Sequence, residues 1–181
     1  MDNLESRYYT KPFVKRKAES HVGVGIIQAE NSKEFLLEVF YPLSDLITYR
    51  NRLNLIGGSH DYEDLTPEEI FQREIREEFS LPGEDSQRYA LEKDILKFQR
   101  AILMNAVPYQ DFYFQIPSMQ RKVDGKTEEL PGNCVYSVFL CLLPQDLFEQ
   151  ARHYLQKGMR IKQEGDVKIS TLEELASGEP M

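Results

Sequence analysis

The sequence predicts a mixed β-sheet flanked by helices, an α/β or α+β sandwich. Three observations carry this. Residues 21–28 place Val22, Val24 and Ile26 on one side and Gly23 and Gly25 on the other, as a strand does. Residues 66–79 start with a capping signal and carry Phe71, Ile75 and Phe79 at helical spacing. Residues 135–143 are almost continuously apolar, as a central strand covered on both sides should be. The chain has 181 residues, 41% of them hydrophobic, enough for one domain with a sizeable core.

Residues 1–20 are polar and mixed, with a small basic cluster of Lys11, Lys15, Arg16 and Lys17. They read as a leading arm or edge strand ahead of a single domain over 21–176. Within that domain, alternating Gly23 and Gly25 imply that something approaches the first strand closely on that side. Asn31-Ser32-Lys33 has the look of a hairpin turn into a second strand over 35–41, which Pro42 ends. A short strand over 50–56 leads into Gly57-Gly58. The helix after it has Thr66 to cap, Pro67 for the first helical position and Glu69 to complete a capping box. Leu81-Pro82-Gly83 should break it. Residues 84–94 read as a turn or short helix, and 95–104 and 112–116 as strands. Residues 120–133 are charged and turn-rich, which suggests a loop. Leu147, Ala151 and Leu155 give 144–157 a helical spacing. A last strand over 166–170 runs into a closing helix at 171–175, where Thr171 and Glu174 are spaced as a second capping box. Residues 177–181 read as a frayed tail.

The formal net charge is -8, which argues against non-specific nucleic-acid binding, although it leaves room for a local basic patch. Cys134 and Cys141 are seven apart in one strand, so they should face opposite ways and stay unpaired. Two buried thiols suit a reducing compartment. Met1-Asp2-Asn3-Leu4-Glu5 has no signal-peptide core, and no stretch has the apolar length of a membrane span. The expectation is a soluble, cytoplasmic protein with no membrane partner.

The chemistry concentrates in Arg73-Glu74-Ile75-Arg76-Glu77-Glu78. On a helix, Glu77 and Glu78 are the i+3 and i+4 neighbours of Glu74, so three carboxylates share one stripe. Like charges at those spacings repel by a few tenths of a kcal/mol per pair, roughly. A hard divalent cation needs such a group of oxygens. The plainer reading is a solvated acidic face with pairs such as Arg73 to Glu77. The Gly-Gly and the capping box ahead of the cluster weigh toward metal-dependent phosphate chemistry.

These residues resemble the Nudix hydrolase signature, Gly-x5-Glu-x7-Arg-Glu-U-x-Glu-Glu-x-Gly-U, where U is a bulky aliphatic residue. Gly58 would open it, and residues 73–81 match its second half at every defined position but one. The resemblance implies a Nudix-like α/β/α sandwich with a central mixed sheet. It also implies Mg2+- or Mn2+-dependent cleavage of a diphosphate by water. Glu77 and Glu78 would then be the main metal ligands, with the Gly57 carbonyl beside them. Glu74 would bind metal or orient the water, and Arg73 would hold one of these carboxylates. Gly58 and His60 would meet the substrate, a nucleotide or other small diphosphate compound, although His60 reads first as a plain surface histidine. A homodimer is the family habit.

Two departures stand out. Arg73 lies 15 residues after Gly58 where the signature has 14, so Leu65 falls at the first glutamate position. Glu63 or Asp64 would take that position if the loop bulges. Ser80 replaces the signature glycine, and a left-handed serine costs roughly 1–2 kcal/mol unless the helix instead runs on to Gly83. The general base stays open among a box glutamate, Asp111, Asp124, Glu128 and Glu129, each loop acid reading first as a solvated charge. Tyr109, Phe112, Tyr113 and Phe114 suit core packing at strand spacing, with base stacking as the other reading. Two functions follow: a Nudix-type hydrolase of a nucleoside diphosphate linked to another group, or a nucleotide-binding or regulatory module of that fold with little turnover.

Overall fold

The computed structural model describes residues 19–39, 53–61, 66–80, 89–115, 120–123, 126–129, 133–163 and 165–177. Leu65, Glu63, Asp64, Asp124, the Leu81-Pro82-Gly83 break, the end of the second strand at Pro42, most of the arm and the tail past Ser177 lie outside them. The fold is mixed α/β. The sheet has seven strands: β1 (Glu19–Ala29), β2 (Glu34–Val39), β3 (Leu53–Asn54), β4 (Ile56–Ser59), β5 (Ala106–Gln115), β8 (Asn133–Leu143) and β9 (Asp166–Thr171). Its path is β3-β2-β1-β8-β5, with β4 on β1 and β9 on β2. β1 and β8 run parallel over their whole length, and every other pairing in the sheet is antiparallel. Among the described residues no helix is long and apolar enough to cross a membrane.

The expected hairpin is present, with Asn31 in the left-handed region at φ 59°. Its strands pair at Ile27 with Leu36 and at Gln28 with Phe35. Farther along, Glu38 and Val39 pair with β3, while β4 pairs with Val22 to Gly25 of β1. The segment carrying Gly57-Gly58 therefore enters the sheet where β2 leaves β1.

Helix α1 (Pro67–Glu78) lies on the glycine side of β1. A Cβ on Gly23 would sit 2.8 Å from the Phe71 nitrogen and 2.9 Å from the Pro67 oxygen, and one on Gly25 would sit 2.8 Å from the Phe71 ring. The close approach read from the sequence is thus the approach of α1. Phe71 stacks on Phe139 of β8 at 4.8 Å, and Ile75 and Phe79 are buried in the same core. The opposite face carries a smaller cluster of Val22, Val24, Cys134 and Val138. Both cysteines are free and buried, on opposite faces of β8, and burial pushes the Cys141 thiol up to about 12.

Three expectations need correction. Residues 95–104 are not a strand: they lie in α2 (Glu92–Asn105), which buries Ile95, Phe98 and Ile102 on one helical face. Residues 120–133 are not simply a loop, because β6 (Gln120–Val123) and β7 (Lys126–Glu129) form a separate two-stranded ribbon. Tyr109, Phe112 and Tyr113 are not core residues. They are exposed on β5, Tyr113 at 78%, because β5 ends the sheet path. The later elements agree with the sequence: α3 (Gln145–Gln156) buries Phe148 and Ala151, and α4 (Leu172–Ser177) starts with the Thr171–Glu174 capping box.

Helices α2 and α3 are tied by a buried polar contact. Asp94 accepts from the Tyr154 hydroxyl at 2.7 Å and from Lys97 Nζ at 2.9 Å. The Lys97 bond, helped by the Tyr154 hydroxyl, holds the Asp94 carboxyl below its ordinary value of 3.8 against the opposing effect of burial. A carboxylate lowered by folding stabilises the protein above its unfolded pKa, and that contribution is lost as pH falls through the folded value. Asp94→Asn should cost on the order of 1–3 kcal/mol at neutral pH. The gap in melting temperature between the two proteins should close as pH falls below 3.8. Thermal melts from pH 7 down to about pH 3, spanning the ordinary carboxylate range, check this.

Candidate functional site

The start of α1 is fixed locally. Thr66 Oγ1 accepts from the Glu69 N–H at 3.1 Å, and Glu69 Oε2 accepts from the Thr66 N–H at 3.0 Å. Pro67 opens the helix. This capping box sets where the first turn begins, and so which face Arg73 to Glu78 present. Loss of such a cap costs about 1 kcal/mol.

Gly57 has φ +145°, a conformation that side chains rarely adopt, and a Cβ there would meet Val24 Cα at 2.7 Å. Gly58 is crowded in a different way, by the end of a side chain. The Glu74 carboxylate lies against it, with Oε2 only 2.5 Å from where a Cβ would be. Gly58 pairs with Gly23 on β1, so α1, β1 and β4 come close together here.

Arg73 joins these parts. Its Nη1 meets Glu74 Oε1 at 2.9 Å and Glu77 Oε2 at 3.0 Å, and its Nη2 donates to the Ser59 carbonyl at 2.7 Å. It therefore holds two carboxylates and clips the helix to the end of β4. Glu77 is 60% exposed. Glu78, 11% exposed, points elsewhere: its Oε2 accepts from Lys162 Nζ. Lys162 is 1% exposed and also meets Glu38 Oε1 at 2.8 Å.

The end of α1 has no need of a glycine at residue 80. The helix stops at Glu78, neither running on to Gly83 nor placing a left-handed residue at Ser80. Its last carbonyls, which would otherwise lack donors, are met from other elements. The Gln163 N–H donates to the Glu78 carbonyl at 2.7 Å, and Gln99 Nε2 donates to the Arg76 carbonyl at 3.2 Å. The Ser80 hydroxyl bonds the Gln163 side chain. Between α1 and this 158–163 segment lies a cleft of about 460 Å3 lined by Glu74, Arg76, Glu77, Glu78, Ser80 and Gln163.

The carboxylates of the cleft are hard oxygen donors, the right chemistry for Mg2+ or Mn2+. Among the described residues, however, no three His, Cys, Asp or Glu side chains form a group that could hold a metal ion. The ion pairs give a reason. Arg73 gathers Glu74 and Glu77, while Lys162 draws Glu78 the other way.

The other sequence candidates are placed as follows. His60 caps the β4 pairing, donating its N–H to the His21 carbonyl at 2.9 Å, and its ring meets His21 edge-on at 6.0 Å. It is not among the residues lining the cleft. Asp111 sits on β5 opposite Ser137, in the row Gly58–Gly23–Ser137–Asp111. Three strand spacings separate it from Gly58, about 14 Å. Its buried Oδ1 has no hydrogen-bond partner among the described residues. Glu128 and Glu129 lie on β7. Sequence reasoning missed Lys162, Glu38 and Gln163. No short motif marks them, since they meet α1 only through the tertiary fold.

Comparison with protein-family models gives no match, and neither does comparison with curated proteins.

The contact between Gly58 and Glu74 is testable as a coupling. Gly58→Ala should cost on the order of 1 kcal/mol in the unaltered chain, the low end of overpacking, because the Glu74 carboxylate has to move aside. It should cost clearly less in a Glu74→Ala background, where the obstructing carboxylate is gone. Equal costs in denaturant melts of the four proteins would contradict the packing described.

Proposed function

We propose that this chain is a Nudix-type hydrolase that cleaves the diphosphate linkage of a nucleoside diphosphate joined to another group. The observation that carries this reading is the capped helix α1, seated on Gly23 and Gly58, with Arg73 gathering Glu74 and Glu77 beside the cleft. The order Arg-Glu-x-x-Glu-Glu after Gly-Gly supports it. Glu74, Glu77 and Glu78, with the Gly57 carbonyl, would hold Mg2+ or Mn2+. When bound, that ion neutralises charge on the phosphates and acidifies the attacking water.

The remaining roles fall to the protein's own residues. Arg73 orients Glu74 and Glu77 by charge-assisted bonds. Arg76, exposed at the cleft and donating to Gln72 Oε1 at 3.2 Å, would meet a phosphate oxygen. Ser80 and Gln163, bonded to each other, complete the lining of the cleft.

One observation favours a second reading, a nucleotide-binding or regulatory module with little turnover: a protein cation already sits on Glu78. A panel of nucleoside diphosphate conjugates, assayed by mass spectrometry with and without Mg2+, separates the two. Hydrolysis requires Mg2+ and should fall on the order of 100-fold in Glu77→Gln and in Glu74→Gln. No turnover across the panel, with nucleotide binding retained, would overturn the hydrolase and favour the module.

A further inference from the structure

Lys162 is the cation that the chemistry above does not use. Its ammonium is almost fully buried between Glu38, itself buried, and Glu78 at the cleft. A buried ammonium needs a partner, and Glu38 alone supplies one charge of the right sign. Glu78 is a second partner, so its carboxylate has a fixed positive charge in contact on its inner side. A divalent ion approaching Glu78 meets that like charge at short range, in a wall where screening by water is weak. Glu74 and Glu77 differ, because Arg73, the cation they share, is itself partly exposed and Glu77 is largely exposed.

We propose that Lys162 is an internal counter-cation that competes with a divalent ion for Glu78, so that the free protein binds such ions weakly. The ion then enters chiefly with an anionic diphosphate, whose negative charge offsets Lys162 and lets Glu78 join Glu74 and Glu77. This rests on the diphosphate reading of the cleft. Lys162 is a positioning residue: it acts through Glu78.

The test is Mn2+ titration of the full chain, followed by the electron paramagnetic resonance signal of the free ion. Lys162→Met combined with Glu38→Gln removes the cation together with its fully buried partner and leaves the Glu78 carboxylate, at the cleft, open to an incoming ion. That protein should bind Mn2+ about tenfold more tightly than the unaltered chain, a gain removed by adding Glu78→Gln. Unchanged affinity, or no Mn2+ binding at all in that protein, overturns the proposal. Should the double variant fail to fold, Glu78→Gln in the otherwise unaltered chain decides the matter. There the affinity should change less than about threefold, and any larger loss overturns the proposal. The hydrolase reading fails separately, by absence of turnover in the conjugate panel, whatever the Mn2+ titration gives.

Discussion

The structure depends on how closely α1 lies on the sheet. Gly23 and Gly25 leave no side chain between helix and strand, and Phe71 fills the space down to Phe139. A helix seated this low can bury Ile75 and Phe79 and still bring Glu74 into contact with Gly58. The carboxylates therefore face the cleft as a consequence of core packing. The capping box sets the rotation of the helix, and Arg73 locks it to the Ser59 carbonyl.

The second organising feature is a division of charge. Three carboxylates on one helical stripe should repel, yet each has a cation from its own chain. Arg73 serves the two nearer β4, and Lys162 serves the one nearer the helix end. The same 158–163 segment that brings Lys162 also supplies the Gln163 N–H that ends the helix. Helix termination and the electrostatics of the cleft are thus settled by one piece of chain.

Much of this was legible in the sequence where the signal is local. The alternating glycines of β1, the Thr66–Glu69 box, the apolar run of β8 and the Thr171–Glu174 box each state their structure within a few residues. Helix α2 was misread because residues 95–104 are apolar at several spacings, and only burial singles out Ile95, Phe98 and Ile102 as the inward face. The β6–β7 ribbon was missed because its sequence is largely charged and lacks an alternating apolar face. Glu38, Glu78 and Lys162 are far apart in the chain, and no periodicity or spacing joins them. The same is true of Gln163 and Gln99, whose donors end α1.

The most direct measurement is a crystal structure of the full chain soaked with Mn2+ and methylene diphosphonate, read by anomalous scattering at the manganese edge. A peak within coordination distance of the Glu74 and Glu77 carboxylates, facing the diphosphonate in the cleft, is the expected result. A diphosphonate bound elsewhere, or manganese with no contact to either glutamate, would contradict the assignment of this helix to metal-assisted diphosphate chemistry.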